Sequence, residues 1–65
     1  MVLIINGEQQ EAAAPHVKAL LEELDYDGAH LVVAVNHEVV PRARWAETAL
    51  ADGDAVEIIT PRQGG

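Results

Sequence analysis

The chain has 65 residues, enough for one small domain and too few for a separate catalytic domain. Hydrophobic residues make up 49% of it and charged residues 23%, which is typical of a folded domain and argues against intrinsic disorder. The absence of cysteine excludes a disulfide framework, a thiolate zinc site and a cysteine nucleophile. With 11 acidic and 4 basic side chains, the net charge of −7 argues against nucleic acid or an anionic membrane as a partner.

The N-terminal segment MVLIINGE lacks the features of a targeting sequence. Its apolar run is too short to span a membrane, and it has neither the basic region nor the cleavage site of a signal peptide. A small fold without disulfides also suits a reducing compartment. We therefore expect a soluble, cytoplasmic protein.

The first predicted element is a β-hairpin. Residues 1–5 are apolar and partly β-branched, and Asn6-Gly7 supplies the two positive-φ positions of a type I′ turn. A second, antiparallel strand is expected near residues 8–13.

A helix is predicted next, from about residue 15 to residue 24. Pro15 suits its first turn, and the segment DYDG ends it. The apolar stripe has the spacing i, i+3, i+4 and i+7, at Val17, Leu20, Leu21 and Leu24.

The second half of the chain predicts three more strands. A valine-rich run at residues 31–35 ends at Asn36, which tolerates the left-handed conformation of a tight turn, and a short strand at 39–40 follows. The segment RWAETAL predicts a loop or a single helical turn. The DGD sequence then predicts a turn into a last strand at residues 55–60.

This order of elements predicts an α+β domain with a mixed sheet of about five strands packed on one helix. The first and last strands are expected to be central and parallel, because the chain between them supplies a long crossover. Residues 1–60 are expected to form the domain, and residues 61–65 a flexible tail.

One helix covers only one face of a sheet, so the predicted strands have an inner and an outer face. The residues expected to meet the helix are Met1, Leu3, Ile5, Val56 and Ile58. The apolar residues expected on the other face are Val2, Ile4, Ala34 and Ile59. An exposed apolar patch on a small soluble domain usually marks a partner site, and we interpret the second group in this way.

Three segments carry a resemblance to a known family. They are VNHEVVPRARW, LADGDAVEII and the final QGG. Together with the order of elements, they resemble the ThiS family, the sulfur-carrier proteins of thiamine thiazole biosynthesis, which have a ubiquitin-like β-grasp fold. The chain departs from the family pattern at His37, where glycine is often found, and in the polar approach TPRQGG.

The resemblance implies that the carboxylate of Gly65 is the reactive group. A ThiF-type enzyme would adenylate it with ATP and magnesium, and it would then become a thiocarboxylate that delivers sulfur to a ThiG-type thiazole synthase. A cysteine desulfurase or a rhodanese-type protein would supply the sulfur. The chain itself would be a protein co-substrate rather than an enzyme, with no bound cofactor and no metal.

Residues of the tail and of the outer face share the expected partner contacts. Gly64 permits close backbone approach in a narrow channel, and Arg62 and Gln63 lead into it. Arg62 is also expected to steer the tail toward an acidic or carbonyl-rich groove. The adenylating enzyme is expected to bind the outer face at Ile4, Ala34 and Ile59.

Other readings of the sequence stay open. A MoaD-like carrier for molybdopterin synthesis would use the same tail, and a ubiquitin-like modifier would form an isopeptide with it. A plain binding module would use no tail chemistry. His16, His30 and His37 are scattered and are interpreted as solvated side chains, whereas Trp45 is expected to fill the core.

Overall fold

The computed structural model describes residues 1–26 and 30–60. Within them lie five strands, one α-helix and one 3-10 helix, in the order that the sequence predicts. Their bounds are β1 Val2–Ile5, β2 Glu8–Glu11, α1 Val17–Glu23, β3 Val32–Val35, β4 Glu38–Val40, the 3-10 helix η1 Arg42–Glu47 and β5 Ala55–Ile59. The predicted tail, with Arg62, Gln63, Gly64 and Gly65, lies outside the described residues.

The strands form a single mixed sheet in the order β2-β1-β5-β3-β4. β5 runs parallel to β1, with Ile4 opposite Ala55 and Ile5 opposite Val56, and the other pairings are antiparallel. The predicted α+β architecture and the parallel central pair are therefore confirmed. The chain from β2 to β4 supplies the crossover that parallel pairing requires.

The core lies between α1, η1 and one face of the sheet. Five of its side chains have no more than 2% of their surface exposed, at Leu3, Val17, Leu20, Val33 and Val56. Trp45 is 7% exposed, and its indole Nε1 donates a hydrogen bond to the Val40 carbonyl at 2.9 Å, so the expected core role of Trp45 is confirmed. The guanidinium of Arg42 lies over the indole, 5.6 Å from the ring centroid.

The turn before β5 joins this strand to β1. The Asp52 carboxylate accepts a hydrogen bond from the Val2 amide at 2.7 Å, and the Gly53 amide donates to the Val2 carbonyl at 2.7 Å. The Ile4 amide donates to the Asp54 carbonyl at 2.9 Å. The DGD segment therefore has a structural role, because it aligns the start of β5 beside β1.

Asn36 attaches the β3–β4 turn to the start of β5. Its Oδ1 accepts from the Ala55 amide at 3.0 Å, and its Nδ2 donates to the Asp54 carboxylate at 3.1 Å. The other oxygen of Asp54 accepts from the Ala51 amide at 2.9 Å. The start of β5 is therefore held by side chains of both the DGD turn and the β3–β4 turn.

Helix α1 is shorter than predicted, because Pro15 and His16 pair with residues 49 and 50 instead of joining the helix. The Pro15 carbonyl accepts from the Leu50 amide at 3.0 Å, and His16 forms an antiparallel bridge with Ala49. His16 is extended, with φ −149° and ψ 172°, and its Nδ1 accepts from the Ala19 amide at 3.1 Å. It is therefore the N-cap of α1, half-buried, and its interpretation as a solvated side chain was wrong.

Both hairpin turns have left-handed residues at two consecutive positions. Asn6 and Gly7 have φ of 51° and 84°, which confirms the predicted turn between β1 and β2. Asn36 and His37 have φ of 51° and 71° between β3 and β4. Because His37 carries a β-carbon in this region, its backbone is strained where glycine would not be.

We expect His37→Gly to raise the free energy of unfolding by about 0.5–1 kcal/mol, since it relieves this left-handed strain. Urea denaturation followed by circular dichroism measures the change. His37→Ala is the matched control, because it removes the imidazole but keeps the β-carbon. Equal stabilisation by both variants would show that strain at this φ is not the cause.

We expect His16→Ala to lower the free energy of unfolding by about 0.5–2 kcal/mol, because the Ala19 amide loses its cap. His16→Asn keeps an acceptor at the N-cap and should retain most of the stability. His30→Ala, which removes an exposed histidine, is the control in the same denaturation experiment. If His16→Ala lowers the free energy of unfolding no more than His30→Ala does, the capping role of His16 is contradicted.

Candidate functional site

The predicted partner-binding residues lie together on the outer face of the sheet, away from α1. Ile4 is opposite Ala55, Ala34 is opposite Glu57, and Ile59 is opposite Val32, so alternation places all of these side chains on one face. Ile59 is 55% exposed, whereas Ile4 and Ala34 are half-buried. The structure therefore brings the three residues onto one surface, with Ile59 as its most accessible predicted member.

Two further residues of this surface were missed by the sequence analysis. Val32 is 41% exposed and Val39 is 65% exposed. Val39 is opposite Ala34 across the β3–β4 pair, so it also faces outward. The signal was present in the sequence, since residues 32 and 34 share a face by the two-residue period of a strand. The outer-face patch consists of Val2, Ile4, Val32, Ala34, Val39 and Ile59.

A carboxylate interrupts the outer-face patch. Glu57 is exposed, and it lies on β5 between the outward-facing positions of Ala55 and Ile59. Within residues 1–26 and 30–60 the single salt bridge joins the Met1 amino group to Glu11. Among the described residues, Glu57 has no salt-bridge partner, and a carboxylate within an apolar surface suits a partner that offers apolar groups and one basic or donor group.

The end of β5 is the second component of the site, because the predicted tail follows it. On the β1 side, the Asn6 amide donates to the Val56 carbonyl at 2.9 Å. The Asn6 side chain then accepts from the Ile58 amide at 2.8 Å, through Oδ1, in a partly buried position. The sequence identified Asn6 only as a turn residue, because a contact with a residue 52 positions away leaves no local signal.

The remaining predicted site residues are Arg62, Gln63, Gly64 and Gly65, and they lie outside the described part of the chain. β5 carries Ile59 of the outer-face patch and ends there, two residues before the predicted tail. This strand is the central one, paired on both sides. A surface that docks on β5 would therefore hold the tail at a fixed starting position.

The described residues show two further findings that bear on function. In residues 1–26 and 30–60, no three side chains of histidine, aspartate or glutamate are grouped so that they could hold a metal ion. The same part of the chain contains no helix with the length and apolar character needed to cross a membrane.

Comparisons with known proteins identify the class of protein to which this fold belongs. The family model described as "ThiS family" matches residues 3–65. The crystal structure of a thiamine biosynthesis protein (ThiS) from Geobacter metallireducens superposes with a TM-score of 0.85 at 33% identity, and the match covers 100% of both chains. The ubiquitin-like β-grasp fold that the resemblance implied is thus confirmed.

Two curated relatives add to this result. Sulfur carrier protein ThiS of Escherichia coli is 35% identical over 66 residues, which cover 100% of both chains. A thiazole synthase of Paramagnetospirillum magneticum is 42% identical over 66 residues, and the chain spans only 20% of that protein's length. The chain belongs to the ThiS family.

If the outer-face patch binds a ThiF-type adenylating enzyme, as the sequence predicts, we expect Ile59→Asp to weaken this association at least about tenfold, because a carboxylate replaces an apolar group. Stability should fall by about 1 kcal/mol or less, since Ile59 is largely exposed. Titration calorimetry and thermal melts measure the two effects.

Ala43→Asp is the matched control for Ile59→Asp. It adds the same charge at an exposed position of η1, on the helical side of the molecule. Association should remain at the wild-type level in this variant. Equal weakening by both substitutions would attribute the effect to net charge and would contradict docking through the outer face.

Proposed function

We propose that the chain, a sulfur carrier of thiamine biosynthesis by its family, carries the sulfur atom as a thiocarboxylate at Gly65. The observation that carries this proposal is the match to sulfur carrier protein ThiS of Escherichia coli, which extends over 100% of both chains. The family match also extends to residue 65. The predicted reactive glycine is therefore inside the region of similarity.

The proposed chemistry turns an unreactive carboxylate into a sulfur donor in two stages. A carboxylate oxygen of Gly65 attacks the α-phosphorus of ATP, and pyrophosphate leaves, which produces a mixed anhydride with AMP. A persulfide sulfur then attacks the acyl carbon, and AMP leaves. Cleavage of the resulting S–S bond by a thiol releases the thiocarboxylate. The thiocarboxylate anion supplies the nucleophilic sulfur that a cysteine thiolate supplies in other proteins, and this chain contains no cysteine.

The ATP and magnesium in this scheme belong to the adenylating partner. Two glycine-containing segments, NGEQQ and DGDAV, lack the repeated glycines and the lysine of a phosphate-binding loop, and they form turns in the fold. Gly7 and Gly53 occupy positive-φ turn positions, at 84° and 90°, and the DGD amides bond to β1 and to neighbouring turn residues. These contacts support the proposal that the chain supplies the acyl group and that the partner binds the nucleotide.

Docking through the outer-face patch would place the tail for this reaction. The tail of residues 61–65 spans at most about 17 Å when extended, at 3.3–3.6 Å per residue. That length is sufficient to reach an enclosed site from the end of β5. Glycine at positions 64 and 65 allows the last residues to pass where a β-carbon would obstruct them. Arg62 and Gln63 are proposed to contact the entrance.

A thiazole synthase is the proposed acceptor of the sulfur. The support is the Paramagnetospirillum magneticum relative, which is named a thiazole synthase and contains, within one polypeptide, a segment 42% identical to the whole of this chain. Joining two activities in one polypeptide raises their effective concentration, which favours proteins that act on each other. The sulfur donor is proposed to be a cysteine desulfurase or a rhodanese-type protein.

We expect removal of Gly65 to abolish adenylation, because the new carboxylate would lie about 3.5 Å short and a misplacement of 1 Å can cost about 100-fold. Gly64→Ala should keep association but slow adenylation, since a β-carbon enters the channel. The measurement is ATP–pyrophosphate exchange with a ThiF-type enzyme. Circular dichroism shows whether each variant is folded.

Thr60→Ala is a matched control for Gly64→Ala, because it changes a side chain before the tail without adding a β-carbon. It should support exchange like the wild type. Full exchange by the chain lacking Gly65 would contradict the proposed reactive group, and a binding module without tail chemistry would then be the better account. Sulfur transfer to a molybdopterin precursor rather than to thiazole would favour the MoaD-like alternative.

A further inference from the structure

We propose that Asn6 is a positioning residue for the reactive tail, because its side chain fixes the end of β5 from which the tail starts. This inference rests on the proposed function at Gly65. It assigns to a turn residue on the first hairpin a role in a reaction at the other end of the chain.

The need for such a residue arises from the unequal lengths of β1 and β5. β1 ends at Ile5, which is opposite Val56, and the chain then turns away at Asn6. β5 continues to Ile59. The last part of β5 therefore extends beyond the backbone of its parallel neighbour, although β3 still pairs with it on the other side, with Val32 opposite Ile59.

The side chain of Asn6 takes the place of the missing backbone partner. Its Oδ1 accepts from the Ile58 amide at 2.8 Å, as the carbonyl of a longer β1 would. Among the described contacts, this is the hydrogen bond that joins the first hairpin to β5 beyond Val56. The left-handed backbone of Asn6, at φ 51°, turns the main chain toward β2 while the side chain remains beside β5.

Loss of this acceptor would leave the Ile58 amide without a partner in a partly buried position. An unsatisfied buried donor is costly, so the strand end would open more often on the β1 side. Residue 61, where the tail begins, is three positions beyond Ile58. Because alignment of the acyl group controls the rate, a shift at this origin would slow the reaction without removing the docking surface.

The structure offers a closely matched control at Asn36. This residue also lies in a two-residue hairpin turn, also has φ 51°, and also accepts from a β5 amide through Oδ1. Its acceptor contact is with Ala55 at the start of β5, and it makes a second bond to Asp54. Asn36→Gly therefore removes at least as many hydrogen bonds as Asn6→Gly, but at the opposite end of the strand.

The test compares Asn6→Gly, Asn6→Asp and Asn36→Gly in the full chain. Glycine accepts the left-handed φ and removes only the side-chain acceptor, whereas aspartate tolerates that φ and keeps an acceptor oxygen. The readouts are amide hydrogen exchange at Ile58 by NMR, thermal stability, and kcat and KM for ATP–pyrophosphate exchange with a ThiF-type enzyme.

The positioning role predicts that Asn6→Gly accelerates Ile58 exchange at least about fivefold, from the cost of an unsatisfied amide, and lowers kcat about tenfold with KM within about twofold. Asn6→Asp should restore both values. Asn36→Gly should lose at least as much thermal stability as Asn6→Gly and keep the wild-type kcat.

Equal loss of kcat in Asn6→Gly and Asn36→Gly would overturn the proposal, because it would show a general effect of stability. Wild-type kcat in Asn6→Gly would overturn it as well. A wild-type chain that supports no exchange would instead refute the proposed function at Gly65, and with it any role of Asn6 in that reaction. The Ile58 amide would still report whether Asn6 holds the end of β5.

Discussion

The pairing of β5 between β1 and β3 is the constraint on which the rest of the structure depends. It joins the two ends of the described chain, since Ile4 and Ile5 of the first strand lie opposite Ala55 and Val56 of the last. Contacts this distant in sequence carry a loop-closure cost, and four polar side chains add hydrogen bonds beyond those of the backbone ladder. Asn36, Asp52 and Asp54 act at the start of β5, and Asn6 acts at its end. Both ends of β5 are therefore fixed by the fold, and β5 ends two residues before the predicted tail.

The single α-helix of the described chain covers one face of the sheet and leaves the other face exposed. α1 and η1 cover one face of the sheet and bury the aliphatic side chains together with Trp45. The opposite face retains exposed aliphatics, most of all Val39 and Ile59, and the carboxylate of Glu57 lies on this face two residues before Ile59 on β5. A surface of this kind suits a partner that must bind and then release, since it offers apolar area and a charge that remains solvated when free. In the proposed function, one partner would recognise the outer-face patch and the terminal glycine together.

Most of the fold could be predicted because its signals are local. β-branched runs mark β1, β3 and β5, the pairs Asn6-Gly7 and Asn36-His37 mark the tight turns, and the spacing of Val17, Leu20 and Leu21 marks α1. The errors arose where a distant contact overrides local preference. His16 caps α1 instead of extending it, because it is bridged to Ala49, and Pro15 accepts a hydrogen bond from Leu50. The outward positions of Val32 and Val39 follow from strand register, and the role of Asn6 follows from its contact with Ile58. The role predicted for residues 61–65 rests on the sequence alone.

The central claim is that this fold presents a C-terminal glycine for conversion to a thiocarboxylate, and intact-mass analysis of the protein purified from its native host tests it most directly. The account predicts a fraction of the chain that is heavier by the difference between one sulfur and one oxygen atom, with tandem mass spectrometry placing the change at Gly65. Treatment with an alkylating reagent should label this fraction alone, since the chain contains no cysteine. A chain found without sulfur and joined through Gly65 to lysines of other proteins would contradict the account and would identify a modifier instead.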